Sequence, residues 1–156
     1  MPTFELSVVT PERTTYEGTA AYLDLPAWEG SLGVLPGHAP ALVLLQEGVA
    51  RVKDVSGQEW LLALSGGFAE IDQKKVTLFA ETAELAAEIN EERARLAQER
   101  AKEDIQKSRR REKGSEDIDI GKAQTALKRS LVRLKVSELR RRKGYAGMPR
   151  PGAGES

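Results

Sequence analysis

Two features of this sequence have residue types and spacing that could do chemistry. Arg129 and Arg133 stand four residues apart in LKRSLVRLK. On a helix, residues i and i+4 share a face, so the two guanidiniums would emerge together. Paired planar forks of N–H donors suit the oxygens of a phosphate. The second candidate is His38, the only histidine of the chain, in GSLGVLPGHAP. Its imidazole titrates near neutral pH and could serve as a general base. A base needs a nucleophile or an acid within hydrogen-bond reach. The neighbours Pro36, Gly37, Ala39 and Pro40 offer neither. Pro36 and Pro40 fix φ, while Gly33 and Gly37 permit bends that a side chain would resist. His38 therefore reads as a structural residue of a shaped loop, its ring a packing or hydrogen-bonding element.

Composition narrows the chemistry further. The 156 residues hold no cysteine, which excludes disulfides and thiolate metal sites. With one imidazole, a zinc site would need mostly carboxylates, against that metal's preference. The opening MPTFELSV has no basic stretch followed by a long apolar one, so no signal peptide is expected. The longest apolar run, Leu42 to Leu45, is far too short to span a bilayer. A soluble protein is expected, with any membrane association made through a partner. The net charge of zero hides a division. Residues 1–85 carry 5 Lys/Arg against 12 Asp/Glu, and residues 86–156 carry 19 against 12. An acidic half joined to a basic half bears on partners rather than on fold.

The two halves also differ in period. Phe4, Leu6 and Val8 alternate with Glu5 and Ser7, as in a half-buried strand. Further short strands are expected at 21–25, 50–53, 60–64, 68–71 and 76–80, the last closing the β region. Turns at Thr10-Pro11-Glu12, Ser56-Gly57, Ser65-Gly66-Gly67 and Asp72–Lys75 separate them. This spacing predicts an antiparallel sandwich or barrel. From residue 83 the sequence AELAAEINEERARLAQERAKEDIQ is rich in helix formers. Ile89, Leu96, Ala97, Ala101 and Ile105 fall near one face of a first helix. After the polar KSRRREKGSED, a second helix from Asp119 to Arg142 aligns Ile120, Ala123, Leu127, Leu131 and Leu134. Stripes this thin pack against each other or against another protein, as a two-helix hairpin. The expected division is a β-sandwich over 1–84, a helical hairpin over 85–143 and a disordered Gly/Pro-rich tail over 144–156.

The loop EGSLGVLPGHAPALVLLQEG, followed by LSGGFAEI and VTLFAETAE, resembles the epsilon subunit of the bacterial F-type ATP synthase, called delta in mitochondria. That family carries a Gly-x-x-Gly-[Ile/Val/Leu]-x-Pro-Gly-His-Ala-Pro loop, here Gly30 to Pro40, and a Ser-Gly-Gly-[Phe/Ile] turn, here Ser65 to Phe68. The likeness runs from Phe4 to about Leu139. It implies a non-catalytic rotor subunit at the cytoplasmic face of the plasma membrane. Its sandwich would dock on the gamma subunit and on the membrane ring of c subunits. Its hairpin would fold down, or extend into the catalytic head of alpha and beta subunits and block ATP hydrolysis. Glu29, Gly30, Ser31 and Leu32 match the loop end that faces the ring, with Ser31 where relatives often have Glu. The second helix would present a basic face, Lys122, Arg129, Arg133 and Arg140, to an acidic segment of the catalytic subunits.

The resemblance also implies ATP as a regulatory ligand, with no cofactor required. Some relatives bind it through [Ile/Leu]-Asp-x-x-Arg-Ala, here Ile89-Asn90-Glu91-Glu92-Arg93-Ala94 with Asn in place of Asp. Glu84, Arg100, Arg129 and Arg133 would complete that site. A plain helix start accounts for the same residues, because Asn90 is a strong N-cap and Glu91 and Glu92 favour the first turn. The alternative function is a nucleic-acid-binding sandwich, from the cationic ALKRSLVRLKVSELRRRK. Against it, no aromatic residue lies between Glu81 and Arg142 on which a base could stack.

Overall fold

The computed structural model describes residues 2–146 and Pro149. Ten strands come first: β1 (Phe4–Val9), β2 (Thr14–Ala20), β3 (Tyr22–Ala27), β4 (Gly30–Val34), β5 (Ala41–Leu44), β6 (Gly48–Lys53), β7 (Glu59–Ser65), β8 (Phe68–Ile71), β9 (Lys75–Phe79) and β10 (Thr82–Leu85). Two helices follow, α1 (Glu91–Arg109) and α2 (Ile120–Lys143). The strands form two sheets, ordered β2-β1-β9-β8-β5 and β10-β7-β6-β3-β4. Among these ten strands only β1 and β9 pair in parallel; their other pairings are antiparallel. Between the sheets lie Leu6, Val8, Leu23, Leu25, Trp60, Leu62, Leu64, Ile71 and Leu78, all essentially without solvent contact. The expected sandwich followed by a helical hairpin is the observed architecture.

Four strands escape the sequence pattern. β2, β4 and β5 lie at sheet edges and pair on one side only; few residues of β2 and β4 need be apolar, while β5, ALVL, is apolar throughout and shows no alternation. β10 is spelled TAEL, good helix formers, yet it pairs with Leu62–Ser65 of β7. Tertiary pairing overrides the helical propensity of residues 83–85. The β region therefore closes at Leu85 rather than Ala80. A short 3-10 turn over Ala86–Glu88 then takes up the first of the helix-forming residues, and α1 begins at Glu91 with Asn90 as its N-cap.

The helical stripes are also corrected. Ile120 and Leu131 of α2 are 39% and 46% exposed, and Leu96 of α1 is 59% exposed. The buried positions are Ala94, Ala101 and Ile105 on α1, and Ala123, Ser130 and Val136 on α2. The reason is that α2 meets two neighbours. One face packs on α1, and another rests on the outer surface of β7, where Leu61, Ala63, Ala86 and Val136 form a second buried cluster. Ser130 survives in this dry position because its hydroxyl donates to the Leu127 carbonyl at 2.8 Å. The chain past α2 departs from expectation too. Gly144 ends the helix in the left-handed conformation, and Ala146 forms a parallel bridge with Trp60. The rest of the expected tail, 147–156 apart from Pro149, lies outside the described residues.

The turn between β7 and β8 is constrained by close approach. At Gly67, φ is +98° and an added Cβ would stand 2.0 Å from the Phe79 carbonyl oxygen. At Gly57 φ is +86°, but no atom lies within 4 Å of an added Cβ. Gly67→Ala should cost about 3 kcal/mol or more, and Gly57→Ala about 1–2 kcal/mol. Urea unfolding of both variants tests this, and equal losses would show that the backbone contact at Gly67 contributes nothing.

Candidate functional site

The arginine pair of α2 does emerge on one face, and that face looks at the chain leading out of the sandwich. Arg129 Nε donates to Ser65 Oγ at 2.7 Å, and its Nη2 lies 3.1 Å from Glu81 Oε2. Arg133 Nε donates to Glu84 Oε1 at 2.7 Å. Two turns further on, Arg141 Nη2 is 3.1 Å from Glu91 Oε1. Glu91 also accepts from Arg95 Nη2 at 2.9 Å. Arginines 129, 133 and 141 thus meet carboxylates 81, 84 and 91 in matching order, joining the basic helix to the acidic segment before it. All these side chains keep some solvent contact, so each pair is worth about 0–1 kcal/mol. Of the remaining basic-face residues, Lys122 and Arg140 are exposed and make no ion pair among the described residues.

Between the helices runs an open groove of about 800 Å³ lined by Ala97, Lys122, Thr125, Ala126, Arg129 and Arg133. It continues past Ala97, Lys122 and Ala126 to Arg100. Small residues along the floor, Ala97 and Ala126, leave space between the helices, and the rim mixes the cations Arg100, Lys122, Arg129 and Arg133 with Asp104, Asp117 and Asp119. The structure therefore gathers Arg100, Lys122, Arg129 and Arg133, with Glu84 held by Arg133. The NEERA segment is employed differently. Asn90 Oδ1 accepts the Arg93 backbone N–H at 3.0 Å, the N-cap expected from the sequence. Ala94 is buried, Ile89 packs under the second cluster, and neither Asn90 nor Arg93 lines the groove.

The Gly30–Pro40 region is shaped as expected. Gly37 adopts φ +83° and donates to the Gln73 carbonyl at 3.1 Å, and His38 N donates to the Leu35 carbonyl at 3.1 Å. His38 Nδ1 sits 2.7 Å from the oxygen of Ala39. The imidazole faces a carbonyl of its own loop and has no side-chain hydrogen bond or ion pair among the described residues. At the tip, Glu29 and Gly30 are exposed, Leu32 is half-buried and the Ser31 hydroxyl donates to Asp24.

Sequence reasoning missed one surface altogether. Leu44 stands opposite Phe68, and Phe68 opposite Phe79, on adjacent strands of the first sheet. Residues directly paired in this way share a face. The two phenylalanine rings stack with centroids 4.9 Å apart. Leu42 and Leu44 are 72% and 63% exposed, and with Trp28 they line a groove that reaches the Glu29 tip. An apolar ribbon thus crosses the outer face of the first sheet, and patches of this kind mark interaction surfaces. The signal was present in Leu42-Val43-Leu44, which is apolar on both sides of the strand.

Comparison with known proteins fits this two-part architecture. Residues 3–86 match the family model described as the ATP synthase delta/epsilon chain β-sandwich domain, and residues 87–138 match its long α-helix domain. The chain belongs to the ATP synthase delta/epsilon family. It is 41% identical over 137 residues to the ATP synthase epsilon chain of Halalkalibacterium halodurans, covering 88% of this chain and 98% of that one. It is 39% identical to the epsilon chain of Bacillus licheniformis, covering 88% and 99%. In fold it is similar to a chain in the cryo-EM structure of the Euglena gracilis mitochondrial ATP synthase OSCP/F1/c-ring, with TM-score 0.71, 21% identity, and coverage of 88% and 82%.

Within this delta/epsilon chain, the Arg133–Glu84 contact can be measured by itself. A double-mutant cycle of Glu84→Gln and Arg133→Met, followed by urea unfolding, should give a coupling of about 0.5–1 kcal/mol that shrinks in 1 M salt. A coupling near zero at low salt would remove this pair from the forces that seat α2.

Proposed function

We propose that this chain is the non-catalytic epsilon subunit of a bacterial proton-translocating F-type ATP synthase. It sits in the central stalk, couples rotation and restrains ATP hydrolysis through its helical hairpin. The observation that carries the regulatory part is the state of the arginine face. In the folded hairpin Arg129 and Arg133 are occupied by Ser65, Glu81 and Glu84 of the chain's own sandwich side. Extension of the hairpin would free both guanidiniums for carboxylates on the catalytic subunits. One set of charges then serves two positions of the helices.

The other surfaces take their partners from this reading. The apolar ribbon from Leu42 and Leu44 across Phe68 to Phe79 suits the gamma subunit, since it offers contiguous exposed hydrophobic area. The tip Glu29–Leu32 beside Trp28 would meet the polar loops of the c ring. No helix among the described residues is long and apolar enough to cross a membrane, which accords with a peripheral place on the cytoplasmic face. ATP would enter as a regulatory ligand in the groove between the helices. Its phosphates would compete with Glu81 and Glu84 for Arg129 and Arg133, helped by Arg100 and Lys122.

ATPase assay of the reconstituted catalytic head tests the inhibitory role. The full chain should inhibit, and a chain ending after Glu88, which keeps β10, should not. Replacing Lys122, Arg129, Arg133 and Arg140 together with Gln should relieve inhibition. Added salt should weaken it in the unaltered chain, because exposed charges are screened. An unchanged inhibition constant in the quadruple variant would sink the arginine-face mechanism.

Titration calorimetry tests the ligand separately. The unaltered protein should bind ATP with a dissociation constant near or below about 1 mM, and Arg129→Ala should abolish the heat. Asn90→Asp should leave binding unchanged, because Asn90 caps α1 and does not line the groove, and an about five-fold tightening would bring the position into the site. Retained binding in Arg129→Ala would move the site elsewhere.

A further inference from the structure

The chain beyond α2 makes contacts that neither family match covers, since the helical match ends at residue 138. β10 pairs only with Leu62–Ser65 of β7, which leaves the same edge of β7 unpaired from Glu59 to Leu61. Ala146 fills that place: its N–H donates to the Glu59 carbonyl at 2.9 Å and it bridges Trp60 in parallel. The chain reaches the edge because Gly144 reverses it. At Gly144 φ is +68°, and its N–H closes the helix on the Arg140 carbonyl at 3.1 Å. Tyr145 then packs on the second buried cluster beside Leu61, Val49 and Val136. Ala146 packs on the main core at Trp60.

The Tyr145 hydroxyl lies close enough to Arg51 to be the largest cause raising that guanidinium's pKa. Arg51 in turn lies over the Tyr22 ring, 5.8 Å from its centroid. Tyr145 and Ala146 therefore tie the end of α2 to β6 and to β7.

We propose that Gly144-Tyr145-Ala146 is a latch, a short added strand that holds the hairpin in its folded position by completing the free edge of β7. Without it, α2 is seated on β7 by one small apolar cluster and by ion pairs that water partly screens. With it, the far end of the helix cannot leave the sheet until a strand contact is broken and Tyr145 is pulled from its packing. The latch biases the balance between folded and extended hairpin, and it acts where the helix would have to peel first. This rests on the folded structure and does not depend on the inhibitory role proposed above.

Hydrogen–deuterium exchange followed by mass spectrometry tests it on the full chain and on three variants. One chain ends at Lys143, one carries Tyr145→Ala, and one carries Ala146→Pro, which removes the N–H that Glu59 receives. Peptides from α2 should exchange roughly tenfold faster in the truncated chain and severalfold faster in each point variant. Peptides from β1 and β9 should be unchanged, which separates release of the hairpin from loss of overall stability. α2 exchange within about twofold of the unaltered chain in the truncation would overturn the latch. So would acceleration of β1 and β9 to the same degree as α2. The catalytic head is absent from the experiment, so failure here and failure of the inhibitory reading are distinct results.

Discussion

The structure depends on one strand that is buried on both faces. β7 gives Trp60, Leu62 and Leu64 to the core between the sheets, and Leu61 and Ala63 to the cluster beneath α2. A sandwich strand with one wet face would not hold a helix. Full burial of a Val or Leu side chain is worth about 1.5–3 kcal/mol. Leu61 and Val136 alone therefore outweigh any one of the partly exposed ion pairs along α2. The apolar contact supplies the attraction, and the arginines set where along the sheet the helix rests. The resulting attachment is firm enough to define a docked hairpin, yet far smaller than the core that holds the sandwich together.

The division of charge follows the same line. An acidic sandwich and a basic hairpin attract each other in general, but the helix meets particular carboxylates. Glu81 precedes β10, Glu84 lies within it and Glu91 opens α1. β10 thus does two things. It extends the second sheet, and it presents its acidic residue to α2 while Ala83 and Leu85 turn to the core. Good helix formers adopt a strand here because pairing with β7 and contact with the arginines both require it. The exposed apolar ribbon lies on the other sheet, so a partner seated on it would leave the hairpin unobstructed.

Much of this was legible in the sequence, and what escaped did so for identifiable reasons. The alternation at Phe4–Val8 and the Gly/Pro/Asp turns fixed the sandwich. Asn90 followed by two glutamates fixed the start of α1, and the Arg129–Arg133 spacing fixed their common face. Period analysis assumes that each helix has one buried stripe. α2 has two, so Ile120 and Leu131 were assigned inward while Ser130 and Val136 went unnoticed. The continuous run Trp60–Leu64 did carry the missing information, because an apolar stretch without alternation indicates burial on both sides. Taken as an ordinary half-buried strand, it concealed the docking site of the hairpin. The ion pairs were beyond reach, since Glu81 and Arg129 are 48 residues apart and only the tertiary fold sets their order.

The NEERA segment, which resembles a ligand motif, also serves the fold. Asn90 spends its side-chain oxygen on the Arg93 N–H, Glu91 is shared by Arg95 and Arg141, and Ala94 is buried. The exposed side chains of Glu92 and Arg93 have no such partner among the described residues. The cationic side chains Arg100, Lys122, Arg129 and Arg133 lie one helical face away, along grooves that also carry Asp104, Asp117 and Asp119. A phosphate arriving there would replace Glu81 and Glu84 rather than add to them, leaving those carboxylates to water. Occupation of the groove would thus exchange a tie between hairpin and sandwich for a tie across the two helices. The hairpin would become more rigid in itself and less firmly joined at β10, which leaves the apolar seat on β7 to keep it folded.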